Sequence, residues 1–223
     1  GAHNPQDVRF VACGDVRICR AEVVSVGLLG RVTRDPRLDE AMSARAGPSE
    51  ASPASLATLT VISGRPGTGK TTLAKAFSRQ RGACYLRVDA AETALARTGL
   101  QVGIEGYAVI HELAVSNLLL GIDVVVDAVN ASPEARAGWQ EAARRASATL
   151  VLVETTLPDQ AEHRRRVEAR NADIPGHVMP SWDQVQRVAW TPWDPDRDGS
   201  RLLIDTTDSR LAIATLSARY PTG

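Results

Sequence analysis

The strongest constraint on the fold of this chain is the glycine-rich sequence GRPGTGKT at residues 64–71. It follows an apolar run at residues 59–63 and precedes residues 72–77, whose sequence TLAKAF favours a helix. A buried strand, a glycine-rich turn and the start of a helix form the context that a phosphate-binding loop requires. The sequence therefore predicts that residues 64–71 bind phosphate groups at the N-terminus of a helix.

The residue types in this loop explain how it would bind phosphate. Glycines lack a Cβ atom, so consecutive backbone N–H groups can turn towards the same phosphate oxygens. A helix that begins near Lys70 adds its unpaired amides and the positive end of its dipole. We expect Lys70 to reach the β- and γ-phosphates and the Thr71 hydroxyl to ligate a shared Mg²⁺ ion. The predicted nucleotide-binding residues are Gly64, Arg65, Pro66, Gly67, Thr68, Gly69, Lys70, Thr71 and Thr72.

Composition indicates a globular protein with balanced charge. The chain has 223 residues, of which 43% are hydrophobic, and it contains 26 basic and 26 acidic side chains. A zero formal charge argues against a protein that coats nucleic acid, which usually needs a basic excess, but it is compatible with a local basic groove. The apolar runs are shorter than the roughly 18 residues of a membrane span. We therefore expect a soluble, cytoplasmic protein with no membrane partner.

The two ends of the chain differ in character. Residues 1–56 include the linker-like sequence GPSEASP at residues 47–53, and we interpret this part as an N-terminal extension of unknown role. It could be a poorly ordered appendage, a strand added to the main sheet or an oligomer contact. Residues 57–223 are predicted to form the nucleotide-binding domain.

Within that domain, predicted strands and helices alternate, which is typical of a parallel sheet covered by helices on both faces. The predicted strands span residues 59–63, 83–89, 122–127, 149–154 and 202–205. Right-handed crossovers between such strands place all their C-terminal ends at one edge of the sheet, where ligands bind in open α/β folds.

Two of these predicted strands end in an aspartate, Asp89 and Asp127. Beside a bound triphosphate, one carboxylate can hold Mg²⁺ or its water shell while the other accepts a proton from an attacking hydroxyl. Asp127 ends the run VVVD, which is typical of a Walker B strand, so we expect it at the metal or the substrate. We expect Asp89 to be the general base. The alternatives are a solvent-facing acid for Asp127 and, for Asp89, an N-cap of a helix that begins at Ala90.

The sequence HRRRVEAR at residues 163–170 is rich in arginine. Arg166 and Arg170 are four residues apart, so on a helix they would project from the same face. In a phosphotransferase, a lid in this part of the chain supplies cations to the transferred phosphoryl group. We therefore predict catalytic roles for both arginines. The alternative is a solvated helix whose arginines pair with glutamates four residues away.

Together these features resemble the small P-loop kinases of the AAA-type group, which includes the phage polynucleotide kinase domain and chloramphenicol phosphotransferase. The resemblance covers about residues 57–205. It is closest to the polynucleotide kinase domain at Asp127, Asn130, Pro133, Glu134, Arg136, Trp139 and the spacing of Arg166 and Arg170. It implies a P-loop NTPase fold of three α/β/α layers, with a five-stranded parallel sheet in the order 2-3-1-4-5 and an arginine-rich lid.

The resemblance also implies ATP as phosphoryl donor, Asp89 as base and Arg170 on the phosphates. Asn130 and Arg136 follow the third predicted strand and could meet the acceptor together with Asp89 and Asp127. The alternative for Arg136 is a position on a helix surface without a functional role.

The sequence thus favours a kinase that uses ATP and Mg²⁺ to phosphorylate a hydroxyl of a small molecule or nucleotide. A polynucleotide 5′-hydroxyl is the second choice of acceptor within this class. A different class of function is a regulatory switch that binds ATP and hydrolyses it slowly. The sequence identifies neither the acceptor nor the oligomeric state.

Overall fold

The computed structural model of the protein describes residues 56–220. Except for Leu56, the predicted N-terminal extension lies outside these residues. The strands are β1 (Thr58–Ser63), β2 (Cys84–Arg87), β3 (Val124–Asp127), β4 (Thr149–Thr156) and β5 (Leu202–Asp205). The helices are α1 (Lys70–Arg81), α2 (Val88–Arg97), α3 (Glu105–Leu118), α4 (Pro133–Arg145), α5 (Gln160–Ala169), α6 (Trp182–Arg187), α7 (Pro195–Asp198) and α8 (Ser209–Arg219).

The strands form one five-stranded sheet in the order β2-β3-β1-β4-β5, and every neighbouring pair is parallel. This confirms the order that the resemblance to P-loop kinases implies. Asp127, at the end of β3, is in register with Ile62 of β1 on one side and with Arg87 of β2 on the other. The sheet therefore brings the ends of these three strands together beside the glycine-rich loop.

Helices cover both faces of the sheet because side chains alternate between the faces along each strand. Leu59 and Val61 of β1 pack in a buried cluster with residues of α3 and α4. Ile62 packs on the opposite side with residues of α1 and α8. The result is the predicted three-layer α/β/α arrangement. In the part of the chain described here, no helix has the length and apolar character needed to cross a membrane.

Helix starts follow local capping signals. Ser132 caps α4, with Pro133 in the first turn, and Asp159 caps α5 by accepting hydrogen bonds from two backbone amides. Ser181 and Gln184 form a capping box at the start of α6. Each of these starts agrees with the sequence pattern, because a short polar side chain at an N-cap satisfies amides that the helix leaves unpaired.

The end of β2 differs from the prediction. The strand ends at Arg87, and α2 begins directly at Val88, so Asp89 lies in the first turn of the helix rather than at the end of a strand. Arg87 is the N-cap, in an extended conformation and without a side-chain cap. Asp89 is therefore not the N-cap either. Its carboxylate is favoured in this first turn because it faces the positive end of the helix dipole.

Candidate nucleotide-binding site

The glycine-rich loop has the backbone conformation that its sequence predicts. Gly64, Gly67 and Gly69 have positive φ angles of 143°, 87° and 86°, and Gly69 is the N-cap of α1. A Cβ atom on Gly64 would lie 2.3 Å from Oγ1 of Thr155. Glycine is required there on two counts, because a side chain would meet both backbone strain and a steric clash.

Buried threonines from the neighbouring strands hold the loop in place. Oγ1 of Thr155, in β4, donates to the backbone oxygen of Ser63 at 3.0 Å and lies 2.7 Å from Oγ1 of Thr68. Oγ1 of Thr206, directly after β5, donates to the backbone oxygen of Thr68 at 2.6 Å. Sequence reasoning missed Thr155 and Thr206. The available signal was their position near the C-terminal ends of predicted strands.

Helix α5 packs directly on the loop. Nε2 of His163 lies 2.8 Å from the backbone oxygen of Pro66. A Cβ atom on Gly67 would lie 2.4 Å from a methyl group of Val167. Helix α5 therefore contacts the loop through its buried residues His163 and Val167, and the arginines of the segment lie on either side of these two residues in the sequence.

Lys70 is buried inside the loop, where Nζ donates to the backbone oxygen of Arg65 at 3.2 Å. Burial lowers the pKa of Lys70, while the carboxylates of Asp127 and Asp89 act in the opposite direction. A buried ammonium gains most from an anionic partner, because it has lost its hydration.

Thr71 and Asp127 form the pair of oxygen ligands that Mg²⁺ would need. Oγ1 of Thr71 donates to Oδ2 of Asp127 at 2.7 Å, and the hydroxyl of Tyr85 donates to the same oxygen at 3.0 Å. An octahedral Mg²⁺ with bonds of about 2.1 Å places neighbouring ligand oxygens about 2.9 Å apart, close to the observed separation. One carboxylate and one hydroxyl also suit Mg²⁺, which takes its other ligands from phosphates and water. These residues therefore fit the ion.

Arg87, which the sequence analysis did not identify, contacts three carboxylates of the site. Its Nη2 donates to Oδ2 of Asp89 at 2.9 Å, its Nη1 to Oδ1 of Asp173 at 2.7 Å, and its Nε lies 3.7 Å from Oδ2 of Asp127. Burial opposes its charge, but hydrogen bonds to Asp173 and Asp89 outweigh this effect and raise the pKa of Arg87. Its guanidinium is thus a permanent cation between three carboxylates.

The two predicted lid arginines do not share a helical face. Helix α5 ends at Ala169, and Arg170 is its C-cap in an extended conformation. Arg166 donates to the backbone oxygens of Thr206 and Thr207, each at 2.9 Å, and also pairs with Glu162. In contrast, Nε and Nη2 of Arg170 are buried and have no hydrogen-bond partner among the described residues.

Despite this difference, both arginines line one open cavity of about 550 Å³, which we call the main cleft. Its other lining residues include Gly67, Gly69, Lys70, Thr71, Lys75, Arg87, Asp173 and Ser209. The structure therefore brings the loop, the predicted metal ligand Thr71 and the arginine-rich segment around one space. The ion-pair alternative for α5 is also observed, because Arg164, Arg165 and Arg166 all pair with glutamates of the same helix.

A second cavity of about 440 Å³, which we call the side cavity, lies beyond Asp89. Its lining residues include Glu92, Thr93, Arg97, Val102, His177 and Val178. Oγ1 of Thr93 donates to the backbone oxygen of Asp89 at 2.6 Å, and Nε2 of His177 lies 4.0 Å from Oδ2 of Asp89. Asp89 itself lines neither cavity, but Thr93 and His177 connect it to the side cavity and Arg87 connects it to the main cleft.

Asn130 and Arg136, predicted to meet the acceptor, line neither cavity. Both are about 1% exposed. Asn130 bonds Ser63 and Trp139, while Arg136 forms an ion pair with Asp198. The other guanidinium N–H groups of Arg136 donate to backbone oxygens of Asn130, Ala131, Thr191 and Pro192. Asn130 therefore connects the end of β1 to α4, whereas Arg136 stabilises the packing of α4 against the segment around α7. The surface-helix alternative for Arg136 is also wrong.

A glycine-rich loop between β1 and α1, together with a parallel sheet in this order, defines a P-loop NTPase fold. A family model described as an AAA domain matches residues 59–188, more than half of the chain. The chain belongs to this family. No curated protein sequence matches it significantly.

Solved structures share the fold. A protein from Chloroflexus aurantiacus is 21% identical, with a TM-score of 0.59, and 74% of this chain aligns with 98% of that one. A gluconokinase from Sinorhizobium meliloti is 20% identical, with a TM-score of 0.51 and coverage of 74% and 94%. A sugar kinase from Janibacter is 17% identical, with a TM-score of 0.53 and coverage of 73% and 93%. The resemblance to P-loop kinases is thereby confirmed at the level of the fold, and the activity has to be argued from the site.

Proposed function

We propose that the protein is a kinase that uses ATP and Mg²⁺ to phosphorylate a hydroxyl group of a small molecule. One observation carries this proposal: Asp89 contacts Arg87, which lines the main cleft beside the phosphate-binding loop, and also Thr93, which lines the separate side cavity. A protein that only binds and hydrolyses ATP has no need of a second cavity beside its carboxylate. A kinase needs one, because donor and acceptor must meet at the base.

The proposed roles follow from the contacts. The loop amides and Lys70 bind the β- and γ-phosphates, and Arg170, whose Nε and Nη2 have no hydrogen-bond partner among the described residues, donates to the same anion. Thr71 and Asp127 would hold Mg²⁺, which neutralises charge on the phosphate oxygens when it is bound. Arg166, which donates to the backbone after β5, lines the β5 side of the main cleft.

In the proposed reaction, the acceptor hydroxyl oxygen forms a bond to the γ-phosphorus and its proton passes to Asp89. The bond from the γ-phosphorus to the bridging oxygen breaks, and ADP leaves with that oxygen. The Asp89 side chain is 30% exposed, so an acceptor can reach it without rearrangement of the core.

The side cavity favours a small acceptor over a polynucleotide. Its volume of about 440 Å³ is typical of small-molecule sites, and it combines apolar Val102 and Val178 with polar Thr93 and His177. A polynucleotide usually needs a stripe of unpaired cations. On α5, the exposed arginines are instead neutralised by glutamates, which argues against such a stripe.

The proposed base can be tested with Asp89→Asn. We expect kcat for phosphoryl transfer to fall by about 10² to 10⁴, because the hydroxyl loses its proton acceptor, while the affinity for ATP changes little. Steady-state kinetics and nucleotide titration measure the two effects. Asp183→Asn removes the same charge from an exposed site on α6 and serves as the control. Unchanged turnover in Asp89→Asn would show that Asp89 is not the base.

The acceptor can be sought by a screen of small hydroxyl compounds for release of ADP above the rate without acceptor. A kinase gives an acceptor-dependent rate that Asp89→Asn abolishes. A switch instead gives slow ADP release that no acceptor raises and that Asp89→Asn leaves unchanged. A short 5′-hydroxyl oligonucleotide belongs in the same screen, since its phosphorylation would replace the small-molecule acceptor by a polynucleotide.

A further inference from the structure

The loop that follows α5 places an acid in the main cleft. Oδ2 of Asp173 accepts a hydrogen bond from Nζ of Lys75 at 2.6 Å, and Oδ1 accepts one from Nη1 of Arg87 at 2.7 Å. Lys75 belongs to α1 and Arg87 ends β2, so Asp173 bridges two elements that flank the phosphate-binding loop. All three residues line the main cleft.

The contacts of Asp173 place it on the β2 side of the main cleft, near the proposed metal ligands. Lys75 follows the predicted metal ligand Thr71 by one helical turn, and Arg87 lies 3.7 Å from Asp127, its proposed partner at Mg²⁺. Arg166 and Ser209 line the same cleft near β5, which is the edge strand opposite β2. Asp173 therefore lies at the metal end, where the γ-phosphate of a bound nucleotide would be.

Three cationic side chains, Lys75, Arg87 and Arg170, line the main cleft together with Asp173. Lys75 and Arg87 hold the pKa of Asp173 well below its usual range, so it is ionised near neutral pH. Arg170 lines the same cleft, and two of its guanidinium nitrogens, Nε and Nη2, are buried without a hydrogen-bond partner among the described residues. Charged donors of this kind are arranged for an anion with more oxygens than one carboxylate, such as a phosphate.

We propose that Asp173 is an intramolecular competitor for the terminal phosphate, and that a bound triphosphate displaces it from Lys75 and Arg87. The inference rests on the proposed function in taking a nucleoside triphosphate as the ligand. Arg87 then becomes a further catalytic residue. Its Nη1 contacts the transferred phosphoryl group while its Nη2 keeps hold of Asp89. One guanidinium would thus align the donor phosphate with the base.

Binding measurements with Asp173→Asn test the competition. We expect the affinity for ATP to rise about tenfold, equivalent to about 1.4 kcal/mol, because the phosphate no longer has to displace a carboxylate. The affinity for ADP should rise much less, because ADP has no γ-phosphate to occupy this place. Isothermal titration with each nucleotide in the presence of Mg²⁺ gives both values. The control is Asp183→Asn, which should change neither affinity.

A double-mutant cycle tests whether Arg87 is the partner. In an Arg87→Gln background, Asp173→Asn should alter ATP affinity by less than half of its effect in the unmodified protein. If Arg87→Gln does not fold, as judged by circular dichroism, Lys75→Gln takes its place, since Lys75 is partly exposed and is the other partner of Asp173. Full additivity with the variant that folds contradicts the proposal.

Other outcomes overturn the inference in distinct ways. A fall in ATP affinity in Asp173→Asn would contradict competition, because it would mean that Asp173 helps to bind the nucleotide. Equal gains for ATP and ADP would indicate only a general change of charge. No acceptor is present in these titrations. The inference can therefore fail while a hydroxyl acceptor is still found, and it can succeed even when the acceptor screen finds none.

Discussion

At the residue scale, the most deeply buried ion pair among the described residues lies outside the main cleft. Arg136 and Asp198 form an ion pair in which both side chains are about 1% exposed. Arg197 and Arg136 hold the pKa of Asp198 well below its usual range. Burial of charge without such partners would be costly, so each residue of the pair depends on the other.

This pair predicts acid sensitivity. The folded-state pKa of Asp198 is depressed, so its contribution to stability is complete above the unfolded value of about 3.9 and is lost as the pH falls below it. Urea unfolding between pH 7 and pH 3 should show the onset of this loss, which continues at lower pH as Asp198 becomes protonated in the folded state. In Asp198→Asn the free energy of unfolding at pH 7 should fall by about 3 kcal/mol or more, and the acid slope should become shallower. An identical slope in the variant would assign the acid sensitivity to other carboxylates.

Individual site residues could be predicted only where they belong to a local sequence pattern. The loop residues and Thr71 follow from one contiguous motif, and Asp127 follows from an apolar strand that ends in an acid. Arg87 and Asp173 are 86 positions apart and meet only in the folded chain. No local spacing connects them, which is why the sequence did not identify either residue. Asn130 and Arg136 are residue types that could bind an acceptor, but both are buried and their polar groups bond to other residues of the chain.

At the element scale, the glycine-rich loop predicts which substitution its backbone cannot accept. In Gly64→Ala, the new Cβ would lie 2.3 Å from Oγ1 of Thr155 at a φ of 143°. We expect ATP binding to be lost, because the loop must move away from β4. Gly82→Ala is the matched control, since Gly82 also has a positive φ but no atom within 4 Å of the new Cβ.

The control should lose only about 1 to 2 kcal/mol of stability, the cost of a left-handed conformation, and should keep its affinity for ATP. Thermal melting and nucleotide titration of both variants make the comparison. If Gly64→Ala binds ATP as tightly as the unmodified protein, the expected clash between the new Cβ and Thr155 does not occur.

Element starts were more predictable than element ends. Ser132, Asp159, Ser181 and Asp208 are short polar residues of the type that caps helices, and a helix begins directly after each of them. The change from β2 to α2 has no glycine, proline or side-chain cap to mark it, so the predicted strand extended too far. The end of α5 at Ala169 similarly lacks a glycine at its C-cap.

At the scale of the whole molecule, ligand binding should stabilise the folded state. At a concentration 100 times its Kd, Mg²⁺ with ATP should add about 2.7 kcal/mol to the free energy of unfolding. A thermal shift assay measures this effect as a rise in Tm that grows with nucleotide concentration. Lys70→Ala should abolish the rise, because it removes the buried cation of the loop. Addition of Mg²⁺ alone is the control, and an equal rise in Lys70→Ala would contradict the proposed role of Lys70.

The architecture was largely predictable because alternating strands and helices leave few parallel arrangements. The strand order came from the resemblance to P-loop kinases and is confirmed. The shape of the side cavity was not predictable, because it depends on how α2 packs against the distant loop that contains His177.

The hydrogen bond from Thr206 to the backbone oxygen of Thr68 joins positions 138 residues apart. During synthesis on a ribosome, the motif at residues 64–71 emerges long before this anchor has been translated. A nascent chain that stops short of Thr206 lacks the strand-end contact that fixes its loop. Tight nucleotide binding would therefore distinguish a chain that has been synthesised beyond β5 from one whose synthesis stopped earlier.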